Sequence, residues 1–142
     1  MSRIVGYAGD VSPEAAWTAL SSDADARLVD VRTVAEWAYV GLPDLGALGK
    51  APVTVEWKRF PSMAVNPGFA EAVAASGVAR GAALYFLCRS GVRSRDAAIA
   101  MTALGYGPCF NVATGFEGDR DAAGHRGTRG GWKADGLPWR QD

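Results

Sequence analysis

The sequence predicts an α/β domain with a central parallel sheet joined by right-handed crossovers. Short apolar runs alternate with stretches of helical pattern, which is typical of strand–helix–strand units. The run AALYFLC (82–88) is apolar throughout, as expected for a strand buried on both faces of a parallel sheet. The 142 residues suffice for one core of this kind, so we expect a single domain over 1–142.

The first helix has the clearest start signal. Ser12 is a good N-cap, Pro13 suits the first helical position, and the Glu14 carboxylate favours the positive end of the helix dipole. This helix should end near Ser22. Three more helices are predicted: one over 33–40, one that opens at Asn66-Pro67 and closes at Gly77, and one over 94–104.

Apolar content predicts strands over 27–31, 52–57, 82–88 and 108–112. The Gly- and Pro-containing stretch 41–51 is predicted to be a loop. From Ala113 the composition changes, so 113–131 is predicted to be a Gly/Arg-rich loop. We expect the tail 132–142 to pack back on the domain through Trp132, Leu137 and Trp139.

Composition limits the classes of function. Apolar residues make up 49% of the chain and the formal net charge is zero, so we expect neither a nucleic-acid nor a membrane partner. The N-terminal residues contain no apolar stretch of a secretory signal. Two cysteines are too few for a disulfide framework, which favours a reducing, cytoplasmic setting. One histidine and two cysteines without ligand spacing argue against a metal site.

The position of Cys88 predicts a reactive thiol. Cys88 ends the predicted central strand, and ligands bind beyond the carboxyl ends of the strands in a parallel sheet. Gly91 lets the chain turn sharply, so that amides of the loop can point inward towards an anion. The following helix N-terminus and the guanidinium groups of Arg89 and Arg93 add positive charge. These effects favour the thiolate; the alternative is that Cys88 is a buried apolar residue.

Three separated segments resemble the rhodanese family of sulfurtransferases. CRSGVRS (88–94) with the following helix is similar to that family's active-site loop. LVDVRTVAEWAYVG (28–41) resembles its Asp-x-Arg segment, and NVATGFEG with GWKADGLPW resembles its usual ending. The resemblance covers Ala8 to Trp139 and implies a rhodanese-like three-layer α/β/α domain with a central parallel sheet of about five strands and helices on both faces.

The resemblance implies a ping-pong reaction. Cys88 takes the outer sulfur of a small anionic donor, thiosulfate or a related compound, and holds it as a persulfide. A thiol or cyanide then accepts that sulfur, and no metal or organic cofactor is needed. In the family a basic residue at the position of Arg89 accompanies thiosulfate, whereas glycine there accompanies mercaptopyruvate.

Roles carry over to this chain residue by residue. Cys88 is the implied nucleophile, and Arg89 and Arg93 attract the donor or brace the loop. Cradle amides come from the loop residues Ser90, Gly91, Val92 and Ser94. For Asp30 and Arg32, which match Asp-x-Arg, we favour a structural ion pair over direct chemistry. Glu36 and Trp37 are interpreted as helix-face residues for packing and solubility.

The chain departs from the family in two places. The stretch 41–52 lacks the histidine of the family's Gly-His-Ile-Pro-Gly-Ala, so that wall of the pocket is not predicted. Trp57, Phe60 and Met63 are candidates for another wall, with core packing as the alternative. The segment 119–130 resembles an insertion, and its His125 is expected to be solvated rather than catalytic.

Two other functions remain open from the sequence. A sulfur-relay module would use the same persulfide with a protein donor or acceptor. A phosphatase of the same fold is less favoured, because such enzymes place five residues between cysteine and arginine, and here Cys88 and Arg93 are separated by four. Cys109 begins the next strand, at the opposite edge of the sheet from Cys88, and is therefore expected to be a core residue rather than a resolving thiol.

Overall fold

The computed structural model describes residues 6–59, 62–118, 122–124 and 130–141. In chain order the elements are β1 (Gly9–Val11), α1 (Pro13–Ser22), β2 (Arg27–Asp30), α2 (Val34–Tyr39), β3 (Leu42–Pro43), a 3-10 turn (Gly46–Leu48), β4 (Val53–Thr54), β5 (Lys58–Arg59), β6 (Ala64–Val65), α3 (Phe69–Ala75), β7 (Leu84–Leu87), α4 (Val92–Ala103), β8 (Cys109–Val112) and β9 (Trp139–Arg140).

The central sheet has five strands in the order β1-β8-β7-β2-β4, and every pairing in it is parallel. This confirms the predicted parallel α/β architecture. The middle strand β7 is buried along its whole length, and its side chains alternate between two apolar clusters. Leu84 and Phe86 face the cluster formed with α3 and α4, while Tyr85 and Leu87 face the cluster that includes α1.

Local capping explains where the helices begin and end. Ser12 caps α1 as predicted, since its Oγ accepts the Ala15 N–H at 3.1 Å. Thr33 and Glu36 form a capping box at the start of α2. Gly77 follows α3 with φ +92°, as expected for a residue that ends a helix.

Several element bounds differ from the prediction. The helix expected at Asn66 begins at Phe69, because Asn66 Oδ1 accepts the Gly68 N–H in a turn. Only 53–54 of the strand predicted over 52–57 joins the central sheet. The chain then forms the antiparallel pair β5–β6.

Five short strands were not predicted: β1, β3, β5, β6 and β9. β1 has three residues, one of them glycine, and offers no apolar run to recognise. β3 lies inside the predicted loop 41–51 and pairs antiparallel with β9, which brings the C-terminal segment beside α2. The Gln141 side chain donates to the Tyr39 carbonyl at 2.7 Å in the same region.

The described part of the C-terminal third contributes two fully buried aromatic side chains to the core. Trp132 is fully buried, and its Nε1–H donates to the Pro138 carbonyl at 2.6 Å, whereas Trp139 is 41% exposed. Phe116, in the segment predicted as a loop, is also fully buried. Of the predicted insertion, residues 119–121 and 125–129 lie outside the described residues, and His125 is among them. No described helix has the length and apolarity needed to cross a bilayer.

Candidate active site at the carboxyl edge of the sheet

Cys88 directly follows β7 at the carboxyl edge of the sheet. The Gly91 N–H donates to Cys88 Sγ at 3.1 Å, and Ser94 Oγ lies 3.2 Å from the same sulfur. The 12-residue helix α4 begins one residue after Gly91, so its positive end lies beside the sulfur. The sulfur therefore lies in the turn that the sequence predicted, with a backbone donor and a hydroxyl as its neighbours.

The cradle around Cys88 requires glycine at position 91. Gly91 has φ +105°, and a Cβ on it would lie 2.1 Å from the Ala113 carbonyl oxygen. A second segment, the turn after β8, closes on the loop through its backbone. The Phe116 N–H donates to the Cys88 carbonyl at 2.8 Å, and the Glu117 N–H donates to the Arg89 carbonyl at 3.0 Å. The backbone around Cys88 is thus held from both sides.

The two loop arginines have different surroundings. Arg93 donates to both Glu36 carboxylate oxygens, at 2.7 and 2.9 Å. Arg89 is exposed, and its guanidinium has no hydrogen-bond or ion-pair partner within the part of the chain that the structure describes. Of the two loop arginines, Arg89 is thus the one whose positive charge no carboxylate of the described residues offsets.

Glu36 was missed as a site residue by the sequence analysis, which interpreted it as a packing and solubility residue. It bridges α2 to the Cys88 loop and also accepts from the Thr33 N–H at 3.1 Å. Burial alone would raise the Glu36 pKa, but the hydrogen bonds and charge of Arg93 outweigh it and the pKa is lowered. Burial alone would lower the Arg93 pKa, and its bonds to Glu36 raise it. Arg93 is therefore a brace between two elements.

Asp30 and Arg32 form an ion pair that is fully buried. Arg32 Nη2 donates to Asp30 Oδ2 at 2.7 Å and to the Gly41 carbonyl at 2.8 Å. The guanidinium also lies over the Phe116 ring, 4.2 Å from its centroid. Through these contacts the pair connects the end of β2 with Gly41, before β3, and with Phe116, in the turn after β8. It therefore stabilises the segments that surround the Cys88 loop.

A pocket of about 420 Å³ opens beside the loop. Its walls are α2, the loop arginines and Met63. Tyr39 on its rim is 81% exposed. Of the other predicted wall residues, Trp57 instead packs edge-on against the core residue Phe69 at 5.1 Å, and Phe60 lies outside the described residues.

A buried polar network lies behind the loop, on β8. Asn111 Nδ2 donates to the Gly91 carbonyl at 3.1 Å and to Asp10 Oδ1 at 3.0 Å, and Asn111 Oδ1 accepts from Ser94 Oγ at 2.5 Å. Sequence reasoning missed Asn111. The only signal was a polar residue inside an otherwise apolar predicted strand.

Cys109 is a core residue, as predicted. It is 1% exposed, and its Sγ lies 3.5 Å from the Tyr106 carbonyl at the amino end of β8. Burial raises the pKa of its thiol. Among the described residues, no group of three His, Cys, Asp or Glu side chains could hold a metal ion.

Comparisons with known proteins agree with this architecture. A family model described as the STR4 middle domain matches residues 8–142. Uncharacterized protein RC0915 of Rickettsia conorii is 38% identical over 124 residues, which are 87% of this chain and 90% of that protein. Rhodanese-like domain-containing protein 4, chloroplastic, of Arabidopsis thaliana is 27% identical over 132 residues. This match covers 92% of the present chain but 25% of the plant protein.

Two solved structures are similar to this chain in fold. The crystal structure of Rv0390 from M. tuberculosis has a TM-score of 0.88 at 48% identity and covers 96% of this chain and 99% of that one. The solution structure of the polysulfide-sulfur transferase homodimer from Wolinella succinogenes has a TM-score of 0.62 at 20% identity, with 94% and 78% covered, and shows the shared fold. The chain belongs to the STR4 middle domain family, and it is similar to a rhodanese-like domain-containing plant protein.

Proposed function

We propose that this protein is a sulfurtransferase in which Cys88 carries sulfane sulfur as a persulfide. One observation carries the proposal: Cys88 directly follows the central strand β7, and its Sγ accepts the Gly91 N–H at 3.1 Å, at the start of α4. A sulfur with a backbone donor and a helix N-terminus beside it is stabilised as an anion, both as a thiolate and as a persulfide.

The first half-reaction loads the sulfur. The Cys88 thiolate attacks the outer sulfur of thiosulfate and forms a new S–S bond. The S–S bond of thiosulfate breaks, and its electron pair leaves with sulfite. The product is a Cys88 persulfide anion.

The second half-reaction transfers the terminal sulfur from the Cys88 persulfide to an acceptor. A thiolate or cyanide attacks the terminal sulfur, the bond to Cys88 Sγ breaks, and the electron pair returns to the Cys88 thiolate. The acceptor leaves as a persulfide or as thiocyanate. In each half-reaction one bond to the transferred sulfur forms as another breaks, and the electron pair leaves with the departing group, so neither half-reaction needs a metal or an organic cofactor.

The surroundings of Arg89 favour an anionic sulfur donor. Its guanidinium lines the pocket without a carboxylate partner among the described residues, while Arg93 is paired with Glu36. A compact dianion such as thiosulfate gains from a free guanidinium near the attacking sulfur. The charge pattern thus favours thiosulfate, with Arg89 as its binding residue.

A relay role is the second candidate. The pocket rim carries Tyr39, which is 81% exposed, and Met63, which is 40% exposed. Exposed apolar side chains beside a reactive site are typical of a surface that meets another protein. In that case the persulfide chemistry is unchanged and a protein supplies or receives the sulfur.

The first test is intact mass after incubation with thiosulfate. The wild type should gain one sulfur atom and lose it again on addition of cyanide. Cys88→Ser should gain none, and Cys109→Ser, as the matched control, should gain sulfur like the wild type. Failure of the wild type to gain sulfur would remove thiosulfate as donor, and loading of Cys88→Ser would remove Cys88 as carrier.

A further inference from the structure

Asn111 reaches the candidate site through two neighbours of Cys88. It is 3% exposed and lies on β8, behind the loop. Its Nδ2 group donates to the Gly91 carbonyl and its Oδ1 faces the Ser94 hydroxyl. Among the described residues, Gly91 and Ser94 each place a polar atom within hydrogen-bond distance of the Cys88 sulfur. Asn111 is therefore placed to influence that sulfur through both of them.

The orientation of the Asn111 amide is fixed by its partners. An amide nitrogen has two hydrogens, and here both have acceptors: Asp10 Oδ1 at 3.0 Å and the Gly91 carbonyl at 3.1 Å. Neither acceptor could bond to the amide oxygen. Asn111 Oδ1 must therefore point at Ser94, where it can only accept a proton.

The Ser94 hydroxyl has one proton and two possible acceptors. Ser94 Oγ is 2.5 Å from Asn111 Oδ1 and 3.2 Å from Cys88 Sγ. The first is a short, strong contact between oxygens, whereas sulfur is a weak acceptor until it is ionised. The proton thus belongs to the bond with Asn111, and a lone pair of Ser94 Oγ faces the sulfur.

We propose that Asn111 is a positioning residue that withholds the Ser94 proton from Cys88. The inference rests on Cys88 being the reactive thiol of the proposed function. In the resting protein the Gly91 N–H then donates to the Cys88 sulfur without help from Ser94. Removal of the Asn111 acceptor frees the Ser94 hydroxyl to donate to the sulfur, which makes Cys88 more reactive.

The test is the rate of Cys88 alkylation by iodoacetamide at neutral pH, followed by mass mapping. Asn111→Leu keeps the approximate shape of the side chain and removes its oxygen. We expect about a three- to tenfold faster alkylation, since an added hydrogen bond raises the thiolate fraction while lowering its nucleophilicity in part. Alkylation of Cys109 in the same samples is the internal control and should not change.

The double variant decides whether Asn111 acts through Ser94. In a Ser94→Ala background, Asn111→Leu should no longer accelerate alkylation, because no hydroxyl proton remains to be released. Slower or unchanged alkylation in the single variant would overturn the proposal, since it is what a merely structural brace produces. An acceleration that persists in the Ser94→Ala background would also overturn it.

A second variant at position 111 and a urea unfolding measurement distinguish loss of the fold from a change in reactivity. Asn111→Ala replaces Asn111→Leu if the latter does not give a cooperative urea transition, and the same direction is expected. Iodoacetamide needs only the thiolate, so the test stands even if thiosulfate fails to load Cys88. A failure of the proposed function is thus seen in the mass experiment, and a failure of this inference is seen in the alkylation ratio.

Discussion

The sulfur atoms of the two cysteines have different neighbours, because the cysteines lie at opposite edges of the sheet. Cys88 and Cys109 are each 1% exposed; Cys88 directly follows β7, and Cys109 is the first residue of the neighbouring strand β8. At the carboxyl edge Cys88 has a backbone N–H and a hydroxyl as neighbours. At the amino edge the Cys109 sulfur faces the Tyr106 carbonyl. Burial outweighs a hydrogen bond from the Thr102 side chain and raises the pKa of the Cys109 thiol, so equal burial gives a candidate nucleophile at one edge and a core thiol at the other.

The same contrast holds for the buried polar groups. Within the described residues, the buried polar and charged side chains all lie near the carboxyl edge: Asp30, Arg32, Thr33, Ser94 and Asn111. At the amino edge, Lys50 is only partly buried and donates to three backbone carbonyls at 2.7 to 2.8 Å. Buried polar groups are costly, and their concentration at one edge marks where the fold supports a site.

The largest expected effect is on the buried ion pair. Arg32→Leu leaves the Asp30 carboxylate buried without its partner, which typically costs about 3–5 kcal/mol in free energy of unfolding. Lys50→Met removes a charge at the opposite edge, where water can replace its bonds to the carbonyls, and should cost less, about 1–2 kcal/mol. Urea unfolding of both variants measures the difference. A Lys50→Met loss as large as that of Arg32→Leu would contradict the contrast between the edges.

Two glycines with positive φ give the next comparison. Gly91→Ala would place a Cβ 2.1 Å from the Ala113 carbonyl oxygen, whereas a Cβ on Gly77, at φ +92°, would meet nothing within 4 Å. Gly77→Ala should therefore cost only the backbone strain, about 1–2 kcal/mol. Gly91→Ala should cost more than about 3 kcal/mol because the backbone must also shift.

Sulfur loading separates these two variants further. Gly91→Ala moves the N–H that donates to Cys88 Sγ, so loading by thiosulfate should be strongly reduced in whatever protein remains folded. Gly77→Ala should load like the wild type, since it lies at the end of α3. Equal loading rates in folded samples of both variants would show that the turn geometry at Gly91 does not control the sulfur.

The contiguous part of the site could be predicted from the sequence, because its signals are local. Cys88, Gly91 and Ser94 lie within seven residues, between an apolar run and a helical pattern. The central strand was found from its unbroken apolar content, and α1 from its cap. These features depend on neighbours in the chain, which is what a pattern can report.

The rest depends on contacts between distant residues. Glu36 and Arg93 are 57 positions apart in the sequence, and no residue next to either of them predicts that they form an ion pair. The strands β3 and β9 have two residues each, so their pairing carries no periodic signal. Asn111 contacts the Cys88 loop because β8 lies beside that loop, and the local sequence around Asn111 does not indicate this arrangement. Such pairings are fixed by tertiary packing and not by local propensity.

A smaller effect is expected on donor choice. Arg89 is the loop arginine without a partner among the residues described, so Arg89→Gly should lower the kcat/KM for thiosulfate by about tenfold, the loss of one charge-assisted contact. The value for mercaptopyruvate should fall less. Paired steady-state assays with the two donors measure the ratio. Equal loss with both donors would mean that Arg89 acts on the loop and not on the donor.

The smallest expected effect is the acid dependence of the Glu36–Arg93 pair, which is partly exposed. The Glu36 pKa is lower in the folded than in the unfolded protein, although burial opposes this, because Arg93 holds the carboxylate. The pair therefore contributes fully above the unfolded pKa of about 4.3, and its contribution is lost as the pH falls through the lower folded pKa. At neutral pH, Glu36→Gln should lower the free energy of unfolding by about 1 kcal/mol or less.

Urea unfolding of wild type and Glu36→Gln across the acid range measures this dependence. The difference between them should shrink as the pH falls, because the wild type then loses the interaction that the variant never had. Arg93→Gln should show the same convergence, since both changes break one pair. A difference that stays constant with pH would mean that Glu36 stabilises α2 through its capping bonds to Thr33 and not through Arg93. The brace between α2 and the Cys88 loop would then have to come from packing around the pocket.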